Sequence, residues 1–142
     1  MDRVVLDTNV LVSVTISSTA APDRIYQSWK RGKFSVCTSP ALLEELKEVL
    51  SRPEIKNHQW MHPEEVDELI SLYRRTAVLG TGEKVVYVIE DDPDDDYVLS
   101  AALETDADVI VSGDHHLLEL KSFQGIDIRT PSEFISDMAN AE

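Results

Sequence analysis

Short runs of β-branched apolar residues alternate along the chain with longer segments in which apolar residues recur at helical spacing. The apolar runs predict strands at residues 4–6, 34–37, 85–89, 108–112 and 126–129. Serine or threonine followed by proline predicts two of the helix starts, at Ser39-Pro40 and at Thr130-Pro131. Strands and helices that alternate in this way predict βαβ units and a mostly parallel sheet of about five strands. The expected fold is therefore a three-layer α/β/α sandwich.

The whole chain, residues 1–142, is expected to form a single domain, since it has 142 residues and no internal repeat or linker. Cys37 is its one cysteine, which excludes a disulfide framework and a thiolate zinc cluster. No apolar stretch approaches the roughly 18 residues that a membrane helix needs. No signal peptide is recognised at the start of the sequence. We therefore expect a cytoplasmic protein that does not associate with a membrane.

Aspartates stand where strands end and helices begin in three separate parts of the chain. Asp7 follows the first predicted strand, Asp114 follows the fourth, and Asp94, Asp95 and Asp96 precede a helix. In an open parallel sheet, the carboxyl ends of the strands and the following helix starts meet at one crevice. Acids brought together there repel one another unless a cation such as Mg²⁺ or Mn²⁺, which prefers oxygen ligands, neutralises them. The pattern predicts a metal-dependent active site, and periodicity does not decide between Asp95 and Asp96.

The helix that begins at Pro40 adds a further candidate ligand. Its leucines define a buried face, and Glu44 projects almost opposite that face, as Glu48 nearly does. Glu45 lies at the edge of the face, about 85° from its centre. A carboxylate at this boundary can reach a crevice while its helix stays packed, so we expect Glu45 to be the ligand.

The net charge of −14 is atypical of a protein that binds nucleic acid, because such proteins usually show a basic surface. Six of the seven residues at 90–96 are acidic. Basic residues cluster only in short runs, at 30–33 and at Arg74-Arg75, which is weak evidence for a phosphate contact. Charge alone therefore leaves the substrate open.

Other kinds of site have less support in the sequence. His115 and His116 follow Asp114 directly, but adjacent residues of a helix point about 100° apart. We therefore expect a solvated helix start there, with no shared metal. A glycine-flanked serine elbow, a phosphate-binding loop and a dinucleotide fingerprint are all absent from the sequence.

Four acidic motifs follow one another in the chain. They read Val5-Leu6-Asp7-Thr8-Asn9, Leu43-Glu44-Glu45-Leu46, Asp96-Tyr97-Val98-Leu99 and Val111-Ser112-Gly113-Asp114. In this order, across residues 2–136, they resemble the motifs of the PIN domain family of metal-dependent ribonucleases. The resemblance is strongest to its toxin-like branch, the VapC-like toxins of type II toxin–antitoxin systems.

The resemblance implies a ligand set and an activity. It implies that one or two Mg²⁺ or Mn²⁺ ions are bound by Asp7, Glu45, Asp96 and Asp114, with Asp96 preferred over Asp95. The residues that would support these ligands are Thr8, Asn9, Asp92, Asp95 and Ser112. It implies endonucleolytic hydrolysis of RNA phosphodiester bonds, and it implies a homodimer that binds a small antitoxin protein.

Two other functions compete with this interpretation. The first is a catalytically silent PIN-like module that binds a partner, against which the intact set of carboxylates argues. The second is a phosphatase of the haloacid dehalogenase type, which also begins at an aspartate that ends its first strand. That mechanism needs a second aspartate two residues later, where this chain has Asn9.

Overall fold

A computed structural model describes residues 2–17, 20–81 and 95–141 of the chain. The strands within these residues are β1 (Arg3–Leu6), β2 (Ser35–Thr38), β3 (Val78–Leu79), β4 (Val109–Val111), β5 (Ser122–Phe123) and β6 (Ile126–Arg129). The helices are α1 (Thr8–Ile16), α2 (Ala21–Lys30), α3 (Pro40–Ser51), α4 (Pro53–Lys56), α5 (Pro63–Thr76), α6 (Asp95–Glu104), α7 (His115–Leu118) and α8 (Pro131–Ala141). Among the described helices, none combines the length and the apolar character needed to cross a membrane.

The strands form one mostly parallel sheet with the order β3-β2-β1-β4-β6-β5. The last strand in this order, β5, pairs antiparallel with β6, whereas the other pairs are parallel. From β1 the chain builds β2 and β3 on one side and then places β4 on the other side of β1. The sheet therefore changes its direction of growth between β1 and β4, and ligands bind at such points in open α/β sheets.

Apolar clusters cover both faces of the sheet. Successive side chains of a strand point to opposite faces, and accordingly Val4 packs in one cluster and Val5 in the other. The first cluster includes Leu46 and Tyr73 from α3 and α5, and the second includes Leu99 from α6. The sheet thus lies between two helical layers, which confirms the predicted α/β sandwich.

The helix start at Ser39 forms as the sequence predicts. The Ser39 hydroxyl accepts a hydrogen bond of 3.3 Å from the backbone N–H of Leu42, which satisfies one of the free donors at a helix start. The helix ends at Ser51, before Pro53. This start fixes the position of α3 beside α1 and with it the position of Glu45.

The sheet differs from the prediction at its edges. The two-residue strands β3 and β5 were not expected, because runs of two residues give no periodic signal. The strand predicted at residues 85–89 lies outside the described residues.

Candidate metal site

Asp7 stands at the joint between the central strand and the first helix. Its backbone N–H extends the pairing of β1 with β4 by donating to the Val111 carbonyl at 2.9 Å. Its Oδ1 accepts a hydrogen bond of 2.8 Å from the Thr8 N–H, so the side chain also caps α1. Asp7 is only 5% exposed. Both the backbone and the cap therefore fix this carboxylate at the switch point of the sheet.

The end of β4 supplies the partners of Asp7. The Ser112 hydroxyl donates to Asp7 Oδ2 at 2.6 Å and accepts a bond of 2.9 Å from the Asp114 N–H. Asn9 links the same two segments, since its amide donates to Asp7 Oδ2 at 3.4 Å and its Oδ1 accepts from the Gly113 N–H at 3.3 Å. Ser112 and Asn9 thus hold the segments that present Asp7 and Asp114 next to each other.

Five carboxylates line one cavity of about 530 Å³, and apart from Glu48, which pairs with Arg52, four of them come from separate elements of the fold. These four are Asp7 at the end of β1, Glu45 on α3, Asp95 at the start of α6 and Asp114 at the start of α7. Asp95 is 6% exposed, while Glu45 and Asp114 are half-buried. Residues that are distant in sequence therefore form a single acidic crevice.

Asp95 and Asp96, which are neighbours at the start of α6, differ in their position relative to the cavity. Asp96 is 3% exposed and is not among the residues that line the cavity. Asp96, which the resemblance prefers as the third ligand, is thus not placed on the cavity wall, and Asp92 lies outside the described residues.

The electrostatics of the crevice favour a bound cation. The pKa of Asp7 is raised from 3.8 to about 6, mainly by burial and also by the charges of Glu45 and Asp114. The hydrogen bonds from Ser112 and Thr8 act in the opposite direction but do not offset the burial. A divalent cation would supply the missing positive charge, and carboxylate oxygens are the ligands that Mg²⁺ and Mn²⁺ prefer.

The two histidines after Asp114 differ from each other in environment. His115 is exposed, as expected for a solvated helix start, whereas the Nδ1 atom of His116 is buried. This Nδ1 atom lies 3.5 Å from Asp114 Oδ1 and 4.0 Å from Asp95 Oδ2. The two rings also lie close together, with centroids 4.0 Å apart, so side-chain torsions override the 100° separation along the helix. The expectation of a solvated position thus agrees with His115, whereas His116 has a side chain that is 27% exposed and a buried Nδ1 atom.

Arg52 also lines the crevice, and it was not predicted from the sequence. It lines the cavity together with Glu48, which pairs with its guanidinium through contacts of 3.1 Å at Nε and 2.7 Å at Nη2. Glu45, Glu48 and Arg52 are spaced at i, i+3 and i+7, which places them along one side of α3 and its end. This spacing is the feature of the sequence from which the position of Arg52 beside Glu45 could have been predicted. The basic runs at 30–33 and Arg74-Arg75 do not line this cavity.

A parallel α/β sheet with an acidic crevice at its switch point is typical of enzymes that use divalent metal ions. A family model for the PIN domain matches residues 3–116, and the chain belongs to this family. PIN domains have a nuclease-type fold and are often metal-dependent ribonucleases. The chain is also similar to an uncharacterized protein of Methanocaldococcus jannaschii, with 24% identity over an alignment that covers 95% of this chain and 90% of that protein.

Proposed function

We propose that this chain is a metal-dependent endoribonuclease that hydrolyses RNA phosphodiester bonds. The metal ligands in this proposal are Asp7, Glu45, Asp95 and Asp114. The observation that supports it is the meeting of these four carboxylates on one cavity at the switch point of the sheet. One or two Mg²⁺ or Mn²⁺ ions are the expected cofactors.

When bound, such an ion polarises the scissile phosphate, makes a water molecule more acidic and stabilises the leaving oxygen. The protein fixes the directions of the carboxylates that hold it. Both Asp7 oxygens accept hydrogen bonds, one from Thr8 and the other from Ser112. Asp114 is fixed through its Oδ1, which accepts from the His116 N–H at 2.8 Å. Supporting bonds of this kind orient metal ligands and raise the affinity for the ion.

Cleavage of a circular RNA tests the proposal directly. A circle has no ends, so only an endonuclease converts it to a linear product. We expect cleavage with Mg²⁺ or Mn²⁺ and none with EDTA. Glu45→Gln is expected to lower the rate at least about tenfold, because it removes a ligand charge. Glu44→Gln is the matched control, since Glu44 is exposed and does not line the cavity, and it should keep the wild-type rate.

Three outcomes would contradict the proposal. Cleavage that continues in EDTA would exclude a metal-dependent mechanism. Equal rates for Glu45→Gln and Glu44→Gln would exclude Glu45 from the site. A chain that binds a partner but neither cleaves RNA nor binds Mn²⁺ would favour the silent binding module. Calorimetric titration with Mn²⁺ measures the metal binding.

Arg52 supports the binding of RNA by a chain with a net charge of −14. Among the described residues that line the cavity, it is the one with a basic side chain. The pair with Glu48 fixes the guanidinium plane, and its hydrogen bonds raise the pKa of Arg52. Arginine has five N–H donors and this pair occupies two of them, so the others are available to a phosphate. We propose that Arg52 contacts the RNA backbone beside the metal.

Replacing Arg52 tests this contact. Arg52→Ala is expected to raise KM for RNA by about 5-fold to 10-fold with little change in kcat, because a phosphate contact away from the reacting atoms gives uniform binding. Lys56→Ala is the control, since Lys56 is an exposed cation on the next helix that does not line the cavity. Michaelis–Menten kinetics on a short labelled RNA measure both. An equal change in KM for the two variants would show a general charge effect and refute the contact.

The biological role that we propose is that of a toxin in a toxin–antitoxin pair. It rests on the resemblance of the four motifs to the toxin-like branch of the family. In this role the chain would act in the cytoplasm as a homodimer, and a segment of a small antitoxin protein would occupy the acidic crevice. Arg52 gives such a segment a basic contact in an otherwise acidic cavity.

A further inference from the structure

His116 lies beside two of the proposed metal ligands, Asp95 and Asp114. Its Nδ1 atom is 3.5 Å from Asp114 Oδ1 and 4.0 Å from Asp95 Oδ2. The atom is buried and makes no hydrogen bond to any described residue. A buried imidazole nitrogen next to two carboxylates therefore requires a physical explanation.

The two distances do not fit hydrogen bonds. An N–H···O bond between heavy atoms is about 2.7–3.2 Å long, and both contacts exceed that range. They do fit ligands of a shared cation. Two ligand atoms at about 2.1–2.2 Å from one ion are roughly 3 Å apart in cis positions and roughly 4.3 Å apart in trans positions. Both separations are within the span that two ligands of one ion allow.

A second geometric observation points to the same place. Ligand-type atoms of Asp114, His115 and His116 all lie within 4.8 Å of one another. His115 is the exposed member of this group, whereas His116 adjoins Asp95 as well as Asp114. His116 is not among the residues that line the cavity, but of the two histidines it is the one whose Nδ1 atom lies beside both Asp95 and Asp114.

We infer that His116 Nδ1 is a nitrogen ligand of the metal that Asp95 and Asp114 bind, and that the site consequently prefers Mn²⁺ to Mg²⁺. The inference rests on the proposed metal site and specifies its chemistry. Mg²⁺ is a hard ion that takes oxygen ligands and keeps several waters, whereas imidazole nitrogen favours transition metals. A site of oxygens alone would lack this source of selectivity.

Pulsed electron paramagnetic resonance of the Mn²⁺-loaded full chain tests this inference without an activity assay. A directly bound imidazole produces modulation from its ¹⁴N nucleus in the spin echo. We expect this modulation in the wild type and in His115→Ala, and its loss in His116→Ala. His116→Gln keeps a side chain of similar length with an oxygen donor, and it should bind Mn²⁺ without nitrogen modulation. In both His116 variants, the ratio of the Kd for Mg²⁺ to that for Mn²⁺ is expected to fall about tenfold.

The outcomes separate this inference from the proposed function. Nitrogen modulation that persists in His116→Ala, or that disappears in His115→Ala instead, would overturn the assignment. Mn²⁺ binding that Asp95→Asn abolishes, with no nitrogen modulation in the wild type, would overturn the assignment and leave the carboxylate site intact. A wild-type chain that binds no Mn²⁺ would overturn both.

Discussion

Asp7→Asn is expected to abolish metal-dependent RNA cleavage and to stabilise the metal-free protein at neutral pH. The loss of cleavage should be on the order of 10²–10³-fold or more, as for other groups that organise charge at a reaction centre. The gain in stability follows from the burial of Asp7, whose ionised form is disfavoured in the folded state. The same substitution is therefore expected to abolish the activity while it increases the stability of the fold.

The contribution of Asp7 to the free energy of unfolding decreases as the pH rises. The pKa of Asp7 is raised from 3.8 to about 6 in the folded protein, so the folded state binds the proton more tightly than the unfolded state. The resulting contribution is fully present below about pH 4 and is lost as the pH rises through about 6. At neutral pH the wild type has lost up to about 3 kcal/mol in this way, whereas the amide that replaces this carboxyl in Asp7→Asn does not titrate.

Urea unfolding in EDTA at pH 4 and at pH 7.5 measures the effect. The free energy of unfolding of Asp7→Asn should exceed that of the wild type at pH 7.5 and approach it at pH 4. Asp67→Asn, at an exposed position of α5, is the control and should show no such change. Full cleavage activity in Asp7→Asn would refute the metal site. A growth arrest caused by wild-type expression and absent for this variant would support the toxin role.

The paired variants Asp95→Asn and Asp96→Asn are expected to differ strongly. Asp95→Asn should lower RNA cleavage by about 10²-fold or more and weaken Mn²⁺ binding to a similar degree, because it removes a carboxylate from the cavity wall. Asp96→Asn should leave the Kd for Mn²⁺ within about threefold of the wild type, since Asp96 does not line the cavity. Calorimetric titration with Mn²⁺ measures both variants.

Thermal unfolding of the same samples provides the control for folding, because both residues are buried. Reduced stability of Asp96→Asn with unchanged metal affinity would agree with a structural role. The reverse pattern, in which Asp96→Asn loses the metal and Asp95→Asn retains it, would restore the ligand assignment that the family resemblance favours.

The layers of the fold could be predicted from the sequence because strong local signals agree with burial. Val4 and Val5 are both apolar because both faces of the central strand are covered, and Ser39-Pro40 starts a helix where it was predicted. The short strands β3 and β5 could not be predicted, since their two residues pair only through tertiary contacts. Periodicity does not report such pairs.

The site could be predicted only in part, because some of its side chains are placed by tertiary packing and not by local sequence signals. Asp7, Glu45 and Asp114 have clear places at a strand end or a helix face, and the structure brings all three to the cavity. The choice between Asp95 and Asp96 depends on the rotation of α6, which packing against the sheet determines. The position of His116 depends on side-chain torsions in the single turn of α7, which the sequence spacing does not specify.

The hairpin at the end of the sheet has a consequence for association between chains. Its loop consists of Gln124 and Gly125, which both have positive φ angles, at 49° and 84°. Such loops twist a hairpin tightly, and here they leave an outer strand of only two residues. Because β5 is so short, this edge of the sheet offers few free backbone N–H and C=O groups to a strand of a neighbouring molecule. We therefore expect strand-by-strand association of chains at this border to be suppressed.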